Sequence, residues 1–220
     1  QKIRKNNDGA PFSKKMVRKY KPQNSLEKML KKRLKRILFL GTQPAELEKE
    51  FSEAHTSLEN MVKFKNTKAD SIRQAVVGDD PNDTINRFYG CNRVKGPDAS
   101  HGTHVAGIIA GIRGNHIGLD GIANNVLIMP VRAVPNGDER DKDVANAIRY
   151  AVDNGATIIN MSFGKYYSPN KGMIDDAIRY AESKDVLVIH AAGNESKDSD
   201  TSLSYPNREL LNGQLAGNWI

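Results

Sequence analysis

The 220 residues suffice for one domain, or for a domain with an appendage, and for a full hydrophobic core. Only 38% of them are hydrophobic, and no apolar run approaches the roughly 20 residues of a membrane-crossing helix, which excludes such a span from this sequence. Cys91 is the single cysteine, so an internal disulfide is excluded, a thiolate zinc cage is not expected, and nothing around Cys91 marks it as a nucleophile. The opening Gln1-Lys2-Ile3-Arg4 is charged with no apolar stretch behind it, and no signal peptide is expected here. The net charge of +7 is unevenly spread: residues 1–40 hold 14 Lys/Arg against Asp8 and Glu27, a net of +12, so the other 180 sum to −5. A basic segment joined to a mildly acidic one suggests two parts, 1–68 and 69–220.

Residues 1–23 are polar, with Gly9, Pro11 and Pro22, and read as loop or extended chain. From Asn24 the pattern turns helical, with Leu26, Met29, Leu30, Leu34, Ile37 and Leu38 on one side and Lys/Arg opposite. Asn24 or Ser25 is placed to cap this helix and Gly41 to end it. Thr42-Gln43-Pro44-Ala45-Glu46 signals a second helix, with Leu47, Phe51, Ala54, Leu58, Met61 and Val62 as its apolar positions. Together they predict a basic helical hairpin over 24–65. Such a surface could serve an acidic partner. With no aromatic platform and no nucleic-acid motif, a solvated Lys-rich insertion is the favoured reading, and no nucleic-acid partner is expected.

Beyond residue 70 short apolar runs alternate with helical patterns. Val126-Leu127-Ile128-Met129, Thr157 to Met161 and Val186 to Ile189 read as strands, with Pro130 marking a boundary or bulge. Asp141–Asn154 and Lys171–Ser183 read as helices. Near-continuous apolar strands separated by helices predict an α/β fold, a parallel sheet with helices on both faces.

The stretch Asp98 to Gly111 places a histidine at the start of a helix rich in small residues, Gly102, Ala106, Gly107, Ala110 and Gly111, which permit close backbone approach. Ser100 is positioned to cap it. From spacing alone three readings stay open for His101 and His104: a catalytic base, a metal-binding pair at i and i+3, or structural histidines. A zinc protease would be expected to carry His-Glu-x-x-His, and no acid lies between or after these two in the helix.

His101-Gly102-Thr103-His104-Val105-Ala106-Gly107 resembles, at every position, the His-Gly-Thr-His-Val-Ala-Gly signature of the subtilisin-like serine proteases. Asn160-Met161-Ser162-Phe163-Gly164 resembles that family's Asn-Met-Ser-Leu-Gly segment, and Ala191-Ala192-Gly193-Asn194-Glu195 its Ala-Ala-Gly-Asn-Glu segment. The likeness runs over about 98–220, where Asn218-Trp219-Ile220 resembles the start of a later strand. It implies a partial subtilisin-like peptidase domain at 69–220, preceded by a long basic helical insertion. It also implies that His101 is the general base, that Asn194 donates to the oxyanion, and that His104 is structural. Ser162, Phe163 and Gly164 would pair with an extended substrate, and Ala192 and Gly193 would line the first specificity pocket. The carboxyl ends of parallel strands are where such loops gather.

The family's triad runs Asp, His, Ser along the chain. No Gly-Thr-Ser turn follows Asn194, and Ser196, Ser199, Ser202 and Ser204 lack that context. Upstream, Asp70, Asp79, Asp80 and Asp83 sit in polar surroundings, and 79–83 reads as a loop. The resemblance thus predicts a serine endopeptidase in the intact parent, with this chain inactive alone. The rival reading is a non-catalytic protein that keeps the fold and binds peptide. Lys165 stands where the family often has a glycine. No cofactor is required by the resemblance; the loop Arg113 to Asp120 resembles a calcium loop of some members without matching its length. An extracytoplasmic location follows from the resemblance alone.

Overall fold

The computed structural model describes residues 12–65, 69–96, 98–135, 137–199 and 201–220. The chain divides into two compact units, Gln1–Thr67 and Lys68–Ile220.

The first unit is helical. α1 (Lys14–Lys19) forms where the sequence predicted loop: Ser13 accepts from the Met16 N–H, and Met16 and Val17 are buried. A cap and two apolar residues on one turn are too short a signal to stand out against the charged background. α2 (Ser25–Phe39) begins as predicted, with the Asn24 side chain accepting from the Glu27 N–H at 2.8 Å. The Glu27 carboxylate returns to the Gln23 N–H and the Tyr20 hydroxyl, each at 2.8 Å, so the turn before α2 is satisfied reciprocally. Gly41 follows its end at φ +106, where a Cβ would be strained. α3 (Pro44–Lys65) starts at the predicted proline. Val17, Leu38 and Leu47 form one small cluster with Phe12, Leu34 and Ile37 packed on it, while Leu26, Met29, Leu30 and Phe51 remain exposed.

The second unit holds α4 (Ala69–Val77), α5 (Ser100–Ala110), α6 (Asp141–Asp153), β1 (Ile158–Met161), α7 (Lys171–Ser183) and β2 (Leu187–His190). β1 and β2 pair in parallel, Ile158 opposite Leu187 and Met161 opposite His190. The other side of β2 takes the chain end: Val188 N–H donates to Asn218 O, and Ile220 and His190 N–H donate to Val188 O and Ile220 O. The fold is thus α/β, with a small parallel sheet and β2 at its centre.

One core joins these parts. Val144, Ala145 and Ile148 of α6 meet Ile174, Ala177, Ile178 and Ala181 of α7, Met161 of β1 and Val188 of β2. The two helices present apolar residues at three- and four-residue spacing and pack extensively on each other. Asp141 and Asp143 occupy the first turn of α6, where the helix dipole favours acids. Gly155 closes that helix at φ +85, its N–H donating to Val152 O.

Three expectations fail. Residues 126–129 form no strand and are exposed, Leu127 almost completely at 99%. Among the described residues they have no ladder partner, and apolar composition alone cannot hold a strand. α5 likewise buries none of its residues. Its small-residue approach is realised only at its end, where Gly121, Ile122 and Ala123 N–H donate to Gly111, Ile108 and Ile109 carbonyls. A Cβ on Gly121 would sit 2.3 Å from Gly111 N. Ser100 is the first residue of α5 rather than its cap; its N–H donates to Asp98 Oδ1 at 2.8 Å.

Candidate active site

The C-terminal ends of β1 and β2 deliver two of the predicted segments to one sheet edge. Ser162, Phe163 and Gly164 leave β1, and Ala192, Gly193 and Asn194 follow β2. The two exits are tied where Ala191 N–H donates to Met161 O at 3.1 Å. The parallel register that brings Met161 opposite His190 therefore sets their proximity.

The first segment runs extended. Its far end is fixed by Lys165, whose N–H and C=O both pair with Tyr205 at 3.0 and 2.7 Å. The Lys165 side chain is buried; its ammonium donates to Glu139 O at 2.7 Å and lies 2.6 Å from Asp141 Oδ1. Asp141 Oδ2 accepts the Asn170 N–H, so one carboxylate spans both loops. The residue in the glycine position thus turns its side chain into the protein, toward the start of α6. Glu139 is buried beside this pair, and burial pushes its carboxyl above the ordinary range. Ser162 Oγ accepts from Asn160 Nδ2 at 2.8 Å.

The second segment turns at Gly193, φ +93, a conformation that favours glycine. The Glu195 carboxylate folds back over this turn and accepts the Asn194 N–H at 2.9 Å. A Cβ on Gly193 would meet that carboxylate at 2.8 Å. The Asn194 side chain is exposed and, among the described residues, makes no hydrogen bond. It is therefore available as a donor at the sheet edge.

His101 lies exposed in the first turn of α5, and His104 is exposed as well. Asp98 is held below its ordinary pKa, first by the Ser100 N–H and least by the nearby His101. Among the described residues, no hydrogen bond joins His101 to Ser162 or Asn194. The structure gathers the Ser162–Gly164 segment and the Asn194 loop at one sheet edge and leaves His101 exposed on α5. No group of three or more His, Cys, Asp or Glu is arranged to hold a metal among the described residues. In the loop Arg113–Asp120 the one carboxylate, Asp120, accepts the Gly114 N–H at 3.0 Å. A calcium ion takes six to eight oxygens, and Asp120 is the single carboxylate in this loop.

Sequence reasoning gave no role to one feature of this unit. Asp79, read as part of a polar loop, is fully buried. Lys142 Nζ and Arg73 Nη2 approach its carboxylate at 2.6 and 2.7 Å, and Arg73 also binds Asp143, which accepts from Tyr89. Burial alone would raise the Asp79 carboxyl, but the bonds from Lys142 and Arg73 hold it below the ordinary range. Tyr89 is pushed up by burial and by Asp143. Apart from Arg73 and Asp79, which are 6 residues apart, the bonded partners lie 54–70 residues apart, beyond the reach of local pattern.

The fold, the two loops at one strand edge and the histidine-led helix define a partial subtilisin-like α/β unit. A family model described as the subtilase family matches residues 48–220, and the chain belongs to that family of serine proteases. It is 42% identical over 110 residues to the thermophilic serine proteinase of Bacillus sp. (strain AK1), covering 49% of this chain and 27% of that protein. It is 40% identical over 107 residues to thermitase of Thermoactinomyces vulgaris, covering 48% and 37%. Against the cell wall-associated protease of Bacillus subtilis (strain 168) it is 35% identical over 149 residues, covering 67% and 16%. The chain thus spans between 16% and 37% of the length of these relatives.

Proposed function

We propose that these residues serve a serine endopeptidase, hydrolysing peptide bonds through an Asp-His-Ser triad of which His101 is the general base. His101 would take the serine proton as the acyl bond forms and return it to the leaving amine. Asn194 would donate its free amide to the oxyanion, and Ser162 to Gly164 would pair with the extended substrate. The observation that carries this reading is the sheet edge where an unpaired Asn194 amide and an extended Ser162–Gly164 segment lie together. The reading is supported by the family match over residues 48–220, a stretch that includes His101 in the first turn of α5.

The chain alone is proposed to be inactive, because no serine within it stands in a Gly-Thr-Ser turn. Casein hydrolysis by the intact protein, lost in His101→Ala, would support the assignment; undiminished hydrolysis would refute it. Specific fluorophosphonate labelling of a serine in the 220-residue chain would refute its inactivity. The second reading is a non-catalytic peptide-binding protein, favoured by the substrate edge forming without contact from His101; peptide binding by the intact protein without cleavage would establish it. No cofactor takes part in the proton transfers described. An extracytoplasmic location is proposed from the name of the cell wall-associated relative.

A further inference from the structure

α2 carries six Lys/Arg against one acid, Glu27, and uses only one side of itself to fold. Leu38, with Leu34 and Ile37 beside it, packs in the small cluster of Val17 and Leu47. At 3.6 residues per turn, Leu26, Leu40 and Met29 fall roughly a quarter to nearly half a turn from Leu34 and Leu38, with Leu30 between. All four are exposed, Leu26 and Met29 at 59% and 58%. Arg33 falls within this bare stripe, and Lys32 and Arg36 border it on the side away from the cluster. The Glu27 carboxylate is engaged by Tyr20, Gln23 and Asn24, and Lys31 donates to the Arg18 and Tyr20 carbonyls. Lys28, Lys32, Arg33, Lys35 and Arg36 are exposed and, among the described residues, make no ion pair or hydrogen bond.

We propose that this face of α2 lies on an anionic lipid surface, its bare leucines and methionine at the acyl boundary and its free cations among the headgroup phosphates. A purely solvated face would be polar all round, yet four large apolar side chains line this one. Nucleic acid would take up the charge and leave those side chains in water. A second copy of the chain would set like charges against each other across the contact. A lipid surface satisfies both features at once: an amphipathic helix lies in the interface with its apolar side sunk about 5–10 Å, and Lys/Arg stems reach back to the phosphates. The 15 residues of α2, about 22 Å long, can lie flat in this way but are too few and too charged to cross.

The test is flotation of the full chain with unilamellar vesicles at about 0.1 M salt, which separates lipid-bound protein from aggregate. Vesicles of phosphatidylcholine with phosphatidylglycerol are expected to carry the chain upward, and vesicles of phosphatidylcholine alone are not. Raising the salt to about 1 M should weaken binding at least tenfold, because the screening length falls to about 3 Å. Lys32→Gln, Arg33→Gln and Arg36→Gln together are expected to weaken it about a hundredfold, roughly fivefold per charge. Leu26→Gln, Met29→Gln and Leu30→Gln together should weaken it at least tenfold. All six positions are exposed and outside the buried cluster, so circular dichroism should show the helices kept. Should a triple variant unfold, Arg33→Gln and Met29→Gln singly replace it, each expected to weaken binding about fivefold. No flotation, equal flotation with both vesicles, or unchanged binding in either folded variant set would overturn the proposal. Duplex DNA bound equally by the wild type and the Leu26/Met29/Leu30 variant, with no vesicle binding, would overturn it in favour of nucleic acid.

Discussion

Replacing Asp79 by alanine would leave the Lys142 ammonium, only 5% exposed, with a single backbone acceptor, Asp80 O at 2.9 Å. Arg73 would suffer less, because Asp143 still binds both its terminal nitrogens at 2.8 and 2.5 Å. The main loss is therefore one stranded buried cation, a defect of about 3–5 kcal/mol. For a unit of this size each kcal/mol lowers Tm by about 2–4 °C, so a fall of roughly 6–20 °C is expected. Urea unfolding followed by circular dichroism gives the midpoint, and a double-mutant cycle separates charge from shape. Asp79→Leu combined with Lys142→Met removes both charges together and is expected to cost far less than the two single substitutions summed. A single-variant loss below about 1 kcal/mol, or strict additivity in the double variant, would refute this account of the network.

In the intact protein Asn194→Ala is expected to lower kcat about 10²–10³-fold with KM little changed, the range known for this donor in subtilisin, a member of the same family; steady-state kinetics on a peptide would show it. Burial lowers the His190 pKa below its ordinary 6.5, so its stabilising contribution is complete above pH 6.5 and is lost as pH falls below that value. The urea midpoint should accordingly drop between pH 8 and 5 in the wild type and drop less in His190→Asn; a flat wild-type profile would contradict this. Asp79, lowered from 3.8, adds a second loss only below that pH, which Asp79→Leu should remove. Calcium at millimolar concentration, or its removal by a chelator, is expected to leave Tm unchanged, since the 113–120 loop offers one carboxylate already engaged by a backbone N–H; a clear rise with calcium would refute that.

The helices most legible in the sequence are those with both a stripe and a stop. Lys171–Ser183 appears at its predicted bounds, and Asp141–Asp153 ends one residue short of the prediction, at Asn154-Gly155. The strands at Ile158 and Leu187 were readable because each apolar run finds a neighbour in register. The run at 126–129 has the same composition and no such neighbour, so pattern alone misled. The sheet edge that gathers Ser162–Gly164 and Ala192–Asn194 was legible, because motif and strand end coincide. What supports it from behind was not. Lys165 reaches Asp141 and Glu139 across 24–26 residues. Such pairings arise from tertiary approach, which no local period encodes.

The bare flank of α5 bears on how the chain behaves in a test tube. Ile108, Ile112, Ile117, Leu119, Ile122 and Leu127 are all more than half exposed, over a short stretch of chain. Soluble monomers rarely leave apolar residues so concentrated at the surface. Beside them the backbone of 126–131, unpaired among the described residues, offers open donors and acceptors, the template on which strands recruit one another. At high concentration such a surface favours self-association and poor recovery, and dilute, low-salt handling or a covering partner would be needed to keep the chain monomeric.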